Sequence, residues 1–331
     1  MSTTTVRAPG APATAAGRRT LSPTKGLVRS VLRLHRTSVW LWAGYVAATA
    51  GLLLWLWGPG TSGLHITGRC DAAVVNACTA KGPTADTYHA LLTRVDGLIG
   101  VVPLIASAVA GGVLVARELE RGTAHLAWTQ SVTPARWLAV RLAVPAVCVV
   151  AGTTLLMVLR RLVASGAQGL SGNRWYDEAQ VFDNLGPTAV ALPLLGLAIG
   201  ALIGFLAERT AASIFFSLLV SSLVTGMLDI TRDLMWPTVT VTGDVSAGYP
   251  RFPGVIVAEG PVTGSGARLA DDPGCVDDKA CLAAHDIVGY YREGHPPSHF
   301  WPLQLAETGV VLALTAIVVF AVFRILGRRV A

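Results

Sequence analysis

Six long apolar segments divide this sequence, and each is long enough to cross a lipid bilayer as a helix. They cover residues 39–57, 91–116, 137–159, 185–207, 211–230 and 300–323. A bilayer core of about 30 Å requires about 20 apolar residues in a spanning helix. Charged residues make up only 14% of the chain, against about 25% in soluble domains. The sequence therefore predicts an all-α, polytopic membrane protein with about six transmembrane helices.

The basic residues around these segments predict the orientation of the chain. Seven basic residues and no acid precede the first segment, whereas residues 229–300 hold five basic and ten acidic residues. Positive charge is retained on the cytoplasmic side of a membrane. We therefore expect both termini in the cytoplasm, a long outside segment at 231–299, and a six-helix transmembrane domain over residues 39–331.

The chain before the first segment divides into two parts. Residues 1–24 are rich in Ala, Thr, Pro and Gly, a composition that predicts a disordered cytoplasmic tail. In residues 25–38, Leu27, Val31 and Leu34 recur at helical spacing among basic residues. This pattern predicts an amphipathic helix on the inner leaflet, and its alternative is a basic flank that only sets orientation.

Four of the five cysteines fall in the two predicted outside loops. Cys70 and Cys78 lie in the first loop, and Cys275 and Cys281 lie in the second. An oxidising compartment favours disulfides, and local pairing would join Cys70 to Cys78 and Cys275 to Cys281. Pairing across the loops and four free thiols stay open as alternatives. Cys148 lies inside the third segment, where we expect it to pack as a small apolar residue.

The loop between the second and third segments carries the pattern that most favours a function. Its candidate residues are Glu118, Glu120, Arg121, Gly122, Thr123, Thr129, Pro134 and Arg136. Gly122 permits a sharp exit from a helix, and Thr133 followed by Pro134 is typical of a helix start. The pattern predicts a short cytoplasmic element held between two rigid helices. The alternative is an ordinary polar connection.

This loop resembles that of ABC-2-type ABC transporter permeases. The Glu118-x-Glu120-x-Gly122-Thr123 run, followed by Pro134 and Arg136, is similar to the pattern of that family, including members from high-GC Gram-positive bacteria. The resemblance implies that the loop forms the coupling helix that docks on an ATP-hydrolysing subunit. Glu118 and Glu120 would then meet basic groups of that subunit. It also implies export across a bacterial plasma membrane by an assembly with a second permease copy or paralogue.

ATP chemistry is expected in the partner and not in this chain. The sequence has no Gly-x4-Gly-Lys-Ser/Thr loop, which is the element that holds nucleotide phosphates. We therefore expect ATP and Mg on the ABC ATPase subunit, and no cofactor, metal, catalytic residue or nucleic acid on this chain. The lipid bilayer is its other expected partner.

Two further features lie inside the apolar segments. Gly196, Gly200 and Gly204 recur at every fourth residue, a spacing that lets helix backbones approach closely. Glu307 lies about two turns into the last segment, where a carboxylate is costly. It could line a substrate path or gate, or it could pair with an arginine at the outer end of the membrane.

Three other function classes compete with a permease. An intramembrane enzyme would need His, Asp or Glu clusters at a common depth, and the sequence shows none. An ion-driven carrier would need internal repeats and charges at mid-membrane, which are also not visible. An anchor or immunity subunit that binds a partner without transport stays open, because no sequence pattern excludes it.

Overall fold

The computed structural model describes residues 23–68, 78–122, 133–166, 179–275 and 278–330. Within them, six helical stretches are long and apolar enough to cross a membrane. These spans are Arg36–Thr61, Ala85–Glu120, Pro134–Ser165, Thr188–Ala207, Thr210–Leu234 and Pro297–Arg329. Each overlaps one of the six predicted segments, so the chain is a multi-pass membrane protein, as the sequence predicts.

The helices follow the apolar runs and are interrupted where the sequence requires it. In chain order they are α1 (Pro23–Leu34), α2 (Arg36–Trp57), α3 (Ala85–Gly100), α4 (Val102–Ala108), α5 (Arg117–Glu120), α6 (Pro134–Ser165), α7 (Ala179–Asn184), α8 (Thr188–Ala207), α9 (Thr210–Thr231), α10 (Lys279–Ala284) and α11 (Phe300–Val330). The second span comprises α3, α4, a π-helical stretch at Val109–Ala116 and α5. Pro103 lies in the first turn of α4, where a proline is well tolerated in a helix.

The N-terminal predictions are only partly covered by the structure. Helix α1 begins at Pro23 and ends at Leu34, and α2 begins at Arg36 after His35. The predicted interfacial helix at 25–38 therefore corresponds to α1 plus the first residues of the first span. Most of the predicted tail, residues 1–22, lies outside the described residues.

The fourth span forms the centre of the bundle. In its most apolar window 72% of the residues are buried, against 17% in the sixth span. Its Ala201 and Phe205 pack with Ala110 of the second span, Leu138 of the third and Leu326 of the sixth. The other spans keep exposed apolar side chains, as is typical of helices that face lipid.

The segment between the fifth and sixth spans folds as an antiparallel sheet. Strands β3 (Val239–Asp244), β4 (Val255–Thr263) and β5 (Ile287–His295) form it in the order β3-β5-β4. A two-stranded ribbon of β1 (His65–Gly68) and β2 (Cys78–Lys81) follows the first span. The all-α prediction is therefore wrong for these loops, where β-branched and aromatic residues favour strands.

One predicted disulfide is present in this segment. Cys275 and Cys281 are bonded, with their Cα atoms 5.4 Å apart, and Cys275 is buried against Ile287 and Tyr290 of β5. The structure thus contains the local pairing and not a cross-loop pair at these two residues. Cys70 lies outside the described residues, and Cys148 is a free thiol.

Candidate functional site

The second span ends in a turn that only a few residue types tolerate. Gly122 has a φ of +69°, and its N–H donates to the carbonyl of Leu119 at 3.0 Å. A Cβ on Gly122 would meet nothing within 4 Å. Backbone conformation, and not crowding, therefore accounts for glycine at this position, because side chains disfavour positive φ.

The third span begins as its sequence predicts. Thr133 is the N-cap of α6, its Oγ1 accepts a hydrogen bond from the N–H of Arg136 at 3.4 Å, and Pro134 occupies the first helical turn. This cap satisfies one of the free amide groups at the helix start. Thr123 and Thr129 lie outside the described residues, so the structure places the two ends of the predicted coupling loop and not its middle.

The side chain of Glu118 is bound by another residue of the same chain. Its carboxylate forms an ion pair with Arg141 of α6, and only 8% of the residue is exposed. The guanidinium of Arg141 also lies over the Trp137 ring, 4.8 Å from its centroid. Glu118 thus joins the end of the second span to the start of the third, and its contact with a basic group of a partner stays a prediction.

Glu120 makes a second connection from the same turn. Its Oε2 accepts hydrogen bonds from the N–H of Thr210 at 3.1 Å and from the Thr210 hydroxyl at 2.6 Å. Thr210 is the first residue of α9, where a carboxylate satisfies free N–H groups. Two residues earlier in the chain, Glu208 pairs with Arg329 at the end of α11. We call the end of the bundle where these contacts occur the terminal face.

The exposed charge on the terminal face is mainly positive. Arg117, Arg121 and Arg136 are exposed around the loop, whereas Glu118 is buried and Glu120 is engaged with Thr210. A surface of this kind favours a partner with carboxylates at matching positions. The sequence pattern suggested the reverse, because it could not show that both acids have partners inside the chain.

At the opposite end of the bundle, which we call the sheet face, Glu307 is also paired. Arg232 donates from Nε to Glu307 Oε2 at 2.8 Å, from Nη1 to Asp229 Oδ1 at 2.9 Å, and from Nη2 to Asp183 Oδ1 at 2.6 Å. Its guanidinium lies 4.3 Å from the centroid of the Phe182 ring. Glu307 is only 1% exposed. Pairing with an arginine, one of the two sequence interpretations, therefore describes Glu307.

Three carboxylates share this single guanidinium, and one of them has a strongly altered pKa. Burial is the main cause that raises the pKa of Asp183 to about 7, and the charges of Glu307 and Asp229 raise it further. The positive charge of Arg232 opposes the shift without cancelling it. Near neutral pH the cluster can therefore exchange a proton at Asp183.

A second buried pair lies near this cluster. Arg160 binds both oxygens of Asp96, at 2.8 Å and 3.1 Å, and Asn184 donates to Asp96 Oδ1 at 3.0 Å. Arg160 directly follows the predicted third segment on its outside end, where the charge rule disfavours an arginine. Its burial with Asp96 explains the exception. An arginine and an aspartate near the same end of adjacent spans was the signal that could have predicted the pair.

Short helix α7 connects the two clusters to the sixth span. Its Asp183 accepts a hydrogen bond from Arg232, and its Asn184 donates to Asp96. Gln304 of α11 donates to the carbonyl of Phe182, also in α7, at 2.6 Å. Gln304 Oε1 also accepts from the Thr188 hydroxyl at 2.8 Å. Polar contacts therefore hold five spans together at the sheet face. None of these amide contacts was predicted from the sequence.

The glycine row of the fourth span lies against the second span. A Cβ on Gly196 would come within 2.2 Å of the Pro103 carbonyl oxygen, and one on Gly200 within 2.1 Å of the Ser107 oxygen. At Gly204 the Gly111 carbonyl would be 2.8 Å away. The three glycines thus allow backbone contact, which is the arrangement that their spacing favours.

Within the described part of the chain, three side chains that can act as metal ligands lie close together at one place. Cys275, Cys281 and His285 offer donor atoms within 4.8 Å of one another. The two sulfurs are bonded to each other, so the imidazole alone is available as a ligand in this state.

Comparison with known protein families gives a match to the family described as "ABC-2 membrane transporter related", over residues 43–232. The match begins within the first span and ends within the fifth, and it includes the loop between the second and third spans. No curated protein and no solved structure matches the chain.

Proposed function

The chain belongs to the ABC-2 membrane transporter related family, and on that premise we propose that it is the membrane-spanning permease subunit of an ABC exporter. A separate ABC ATPase binds ATP and Mg and hydrolyses the nucleotide. This chain provides the route through the bilayer and performs no catalysis. The active assembly contains two permease chains, either two copies of this one or this chain and a paralogue.

The observation that carries the proposal is the anchoring of the turn after the second span. Glu118 binds Arg141 of the third span, and Glu120 binds Thr210 of the fifth span. A force applied to the loop would therefore reach three spans through direct contacts. A plain connection between two helices needs neither contact.

The orientation follows from where charge lies on the folded chain. Helix α1, the turn at Gly122 and the end of α11 are associated with the terminal face, where most exposed charges are arginines. The acidic segment 231–299 contains the sheet. The charge rule therefore favours a plasma-membrane protein with its terminal face in the cytoplasm, where an ATPase can dock.

Co-purification with the cognate ATPase tests this proposal. Arg121→Glu reverses an exposed charge beside the loop and should weaken the complex at least about tenfold, because like charges at an interface cost several kcal/mol. Arg251→Glu makes the same change on an exposed residue of the opposite loop and serves as the matched control. Both variants should reach the membrane in equal amounts. Wild-type protein that retains no ATPase would contradict the proposal.

A further inference from the structure

A large apolar cavity lies between α1 and the first three spans. Its volume is about 430 Å³, within the range of small-molecule sites. Val31 and His35 lie at one end, Tyr45 and Val102 line it farther along the spans, and Val149 lies on the third span. The ten residues from His35 to Tyr45 rise about 15 Å along a helix, which is about half of a bilayer core. The cavity thus has the length of one leaflet's hydrocarbon region.

The walls of this cavity are held in place. The Trp42 indole donates to the Cys148 carbonyl at 2.9 Å, and the Tyr45 hydroxyl donates to the Leu98 carbonyl. The two aromatic rings stack with their centroids 5.9 Å apart. Gly152 lets the Trp42 ring pack closely, since a Cβ there would be 2.6 Å from a ring atom. Because these contacts tie the first span to the second and third, the cavity is preformed.

Exposed apolar side chains show what surrounds the cavity. Leu41, Leu32 and Ile105 all line it and are 71%, 41% and 38% exposed. Leu41 lies on the first span and Ile105 on the second, and because both spans are long enough to cross the membrane, these exposed side chains face lipid. An apolar space open to the bilayer is filled most favourably by hydrocarbon.

The end of the cavity at α1 is rich in positive charge. Arg29 and Arg33 lie one turn apart on α1, and Arg36 and Arg117 are nearby in the chain or in space. All four are exposed, and within the described ranges no carboxylate forms an ion pair with them. Each exposed Arg near a membrane surface attracts an anionic head group by about 1 kcal/mol.

His35 adds a polar group at the same end. Its Nε2 is buried and has no hydrogen-bond partner among the described residues. Burial, followed by the charges of Arg141 and Arg117, lowers the pKa of His35. The imidazole is therefore neutral and can donate one hydrogen bond to an ester or phosphate oxygen.

We propose that this cavity binds one hydrocarbon chain of an anionic membrane lipid, with the lipid's head group at Arg29, Arg33 and His35. The lipid comes from the leaflet at the terminal face. This site does not depend on the proposed transport function, because it needs neither the ATPase nor substrate movement.

Native mass spectrometry of the purified, delipidated chain tests the site. Phosphatidylglycerol should bind with one tight equivalent per chain, and phosphatidylcholine should not. Ile105→Trp fills the cavity and should abolish the tight equivalent. Ile317→Trp places the same side chain on an exposed position of the sixth span and should leave binding unchanged.

A second variant pair tests the head-group end. Arg29→Gln combined with Arg33→Gln should weaken phosphatidylglycerol binding about 10- to 30-fold. Arg324→Gln combined with Arg328→Gln removes two exposed charges from the end of α11 and is the control. Equal binding of both lipids, or a tight equivalent retained by Ile105→Trp, would overturn the proposal.

The thiol of Cys148, which lines the cavity, supplies a readout that needs no variant. Phosphatidylglycerol should slow its alkylation by a membrane-soluble maleimide several-fold, whereas phosphatidylcholine should not. Peptide mapping assigns the label to Cys148. An alkylation rate of Cys148 that is the same with and without phosphatidylglycerol would also contradict the proposed site.

Discussion

At the scale of single residues, the charged groups inside this membrane protein have partners on neighbouring helices. Glu118 pairs with Arg141 near the terminal face, and Arg160 with Asp96 near the sheet face. A buried charge that loses its partner is strongly destabilising, even where the intact pair adds little. The arrangement of these pairs therefore restricts how the spans can move against each other.

Glu118→Gln should lower the stability of the detergent-solubilised protein by about 3–5 kcal/mol, because it leaves the Arg141 guanidinium without its carboxylate. The double variant Glu118→Arg with Arg141→Glu should recover part of this loss. Glu259→Gln breaks an exposed pair with Arg292 and should cost no more than about 1 kcal/mol. Thermal unfolding measures all three. A double variant no more stable than Glu118→Gln would show that the pairing itself is unimportant.

Asp183 should make stability depend on pH. Its pKa is about 7 in the folded protein and about 3.9 in an unfolded chain. The folded state therefore keeps the proton up to a higher pH than the unfolded state does. The free energy of unfolding should fall as pH rises between about 4 and 7 and level off above that range. Asp183→Asn should flatten this part of the profile, and the exposed Asp271→Asn should not. Melting curves at a series of pH values provide the measurement.

At the scale of elements, close packing of the second and fourth spans defines the bundle. The glycine row could be predicted from its four-residue spacing, but its partner could not. Gly111 and Gly112 lie in the π-helical stretch Val109–Ala116 and face Ser217 and Ile214 of the fifth span. Helical periodicity alone gives no sign of this stretch, because it changes hydrogen bonding without changing composition.

Gly200→Ala should strongly destabilise this packing, since the new Cβ would lie 2.1 Å from the Ser107 carbonyl oxygen. Gly226→Ala provides the matched control in the fifth span, where a Cβ would meet nothing within 4 Å. It should be neutral or stabilise by up to about 1 kcal/mol. The melting temperatures of the two variants, measured in the same detergent, provide the comparison. Equal melting temperatures would contradict the packing account.

The sheet was the element that sequence reasoning missed. Long apolar runs are a strong signal for spans, because a helix that crosses the bilayer core requires about 20 consecutive apolar residues. Strands β3, β4 and β5 have six to nine residues and mix apolar with polar residues, and β3 and β4 pair with β5 across long stretches of sequence. The segment's charge predicted its side of the membrane and carried no information about this pairing.

At the scale of the whole molecule, the account requires the two faces of the bundle to lie on opposite sides of the membrane. Single cysteines introduced at Ser2 and at Ser265 of the sheet segment, in a protein lacking its own cysteines, should differ in labelling. A membrane-impermeant maleimide added to intact cells should label the Ser265 position and not the Ser2 position. Labelling of the Ser2 position before lysis would contradict the orientation.

ATP hydrolysis by the cognate ATPase, reconstituted with this chain in vesicles, tests whether the loop after the second span couples the two subunits. Gly122→Val forces a branched side chain into a φ of +69°, at a cost of about 1–2 kcal/mol, and should uncouple the loop without blocking insertion. Gly122→Asn, which tolerates this conformation, should behave like wild type. The account predicts that wild type and Gly122→Asn stimulate hydrolysis and that Gly122→Val loses most of the stimulation. Equal stimulation by all three, or none by wild type, would contradict it.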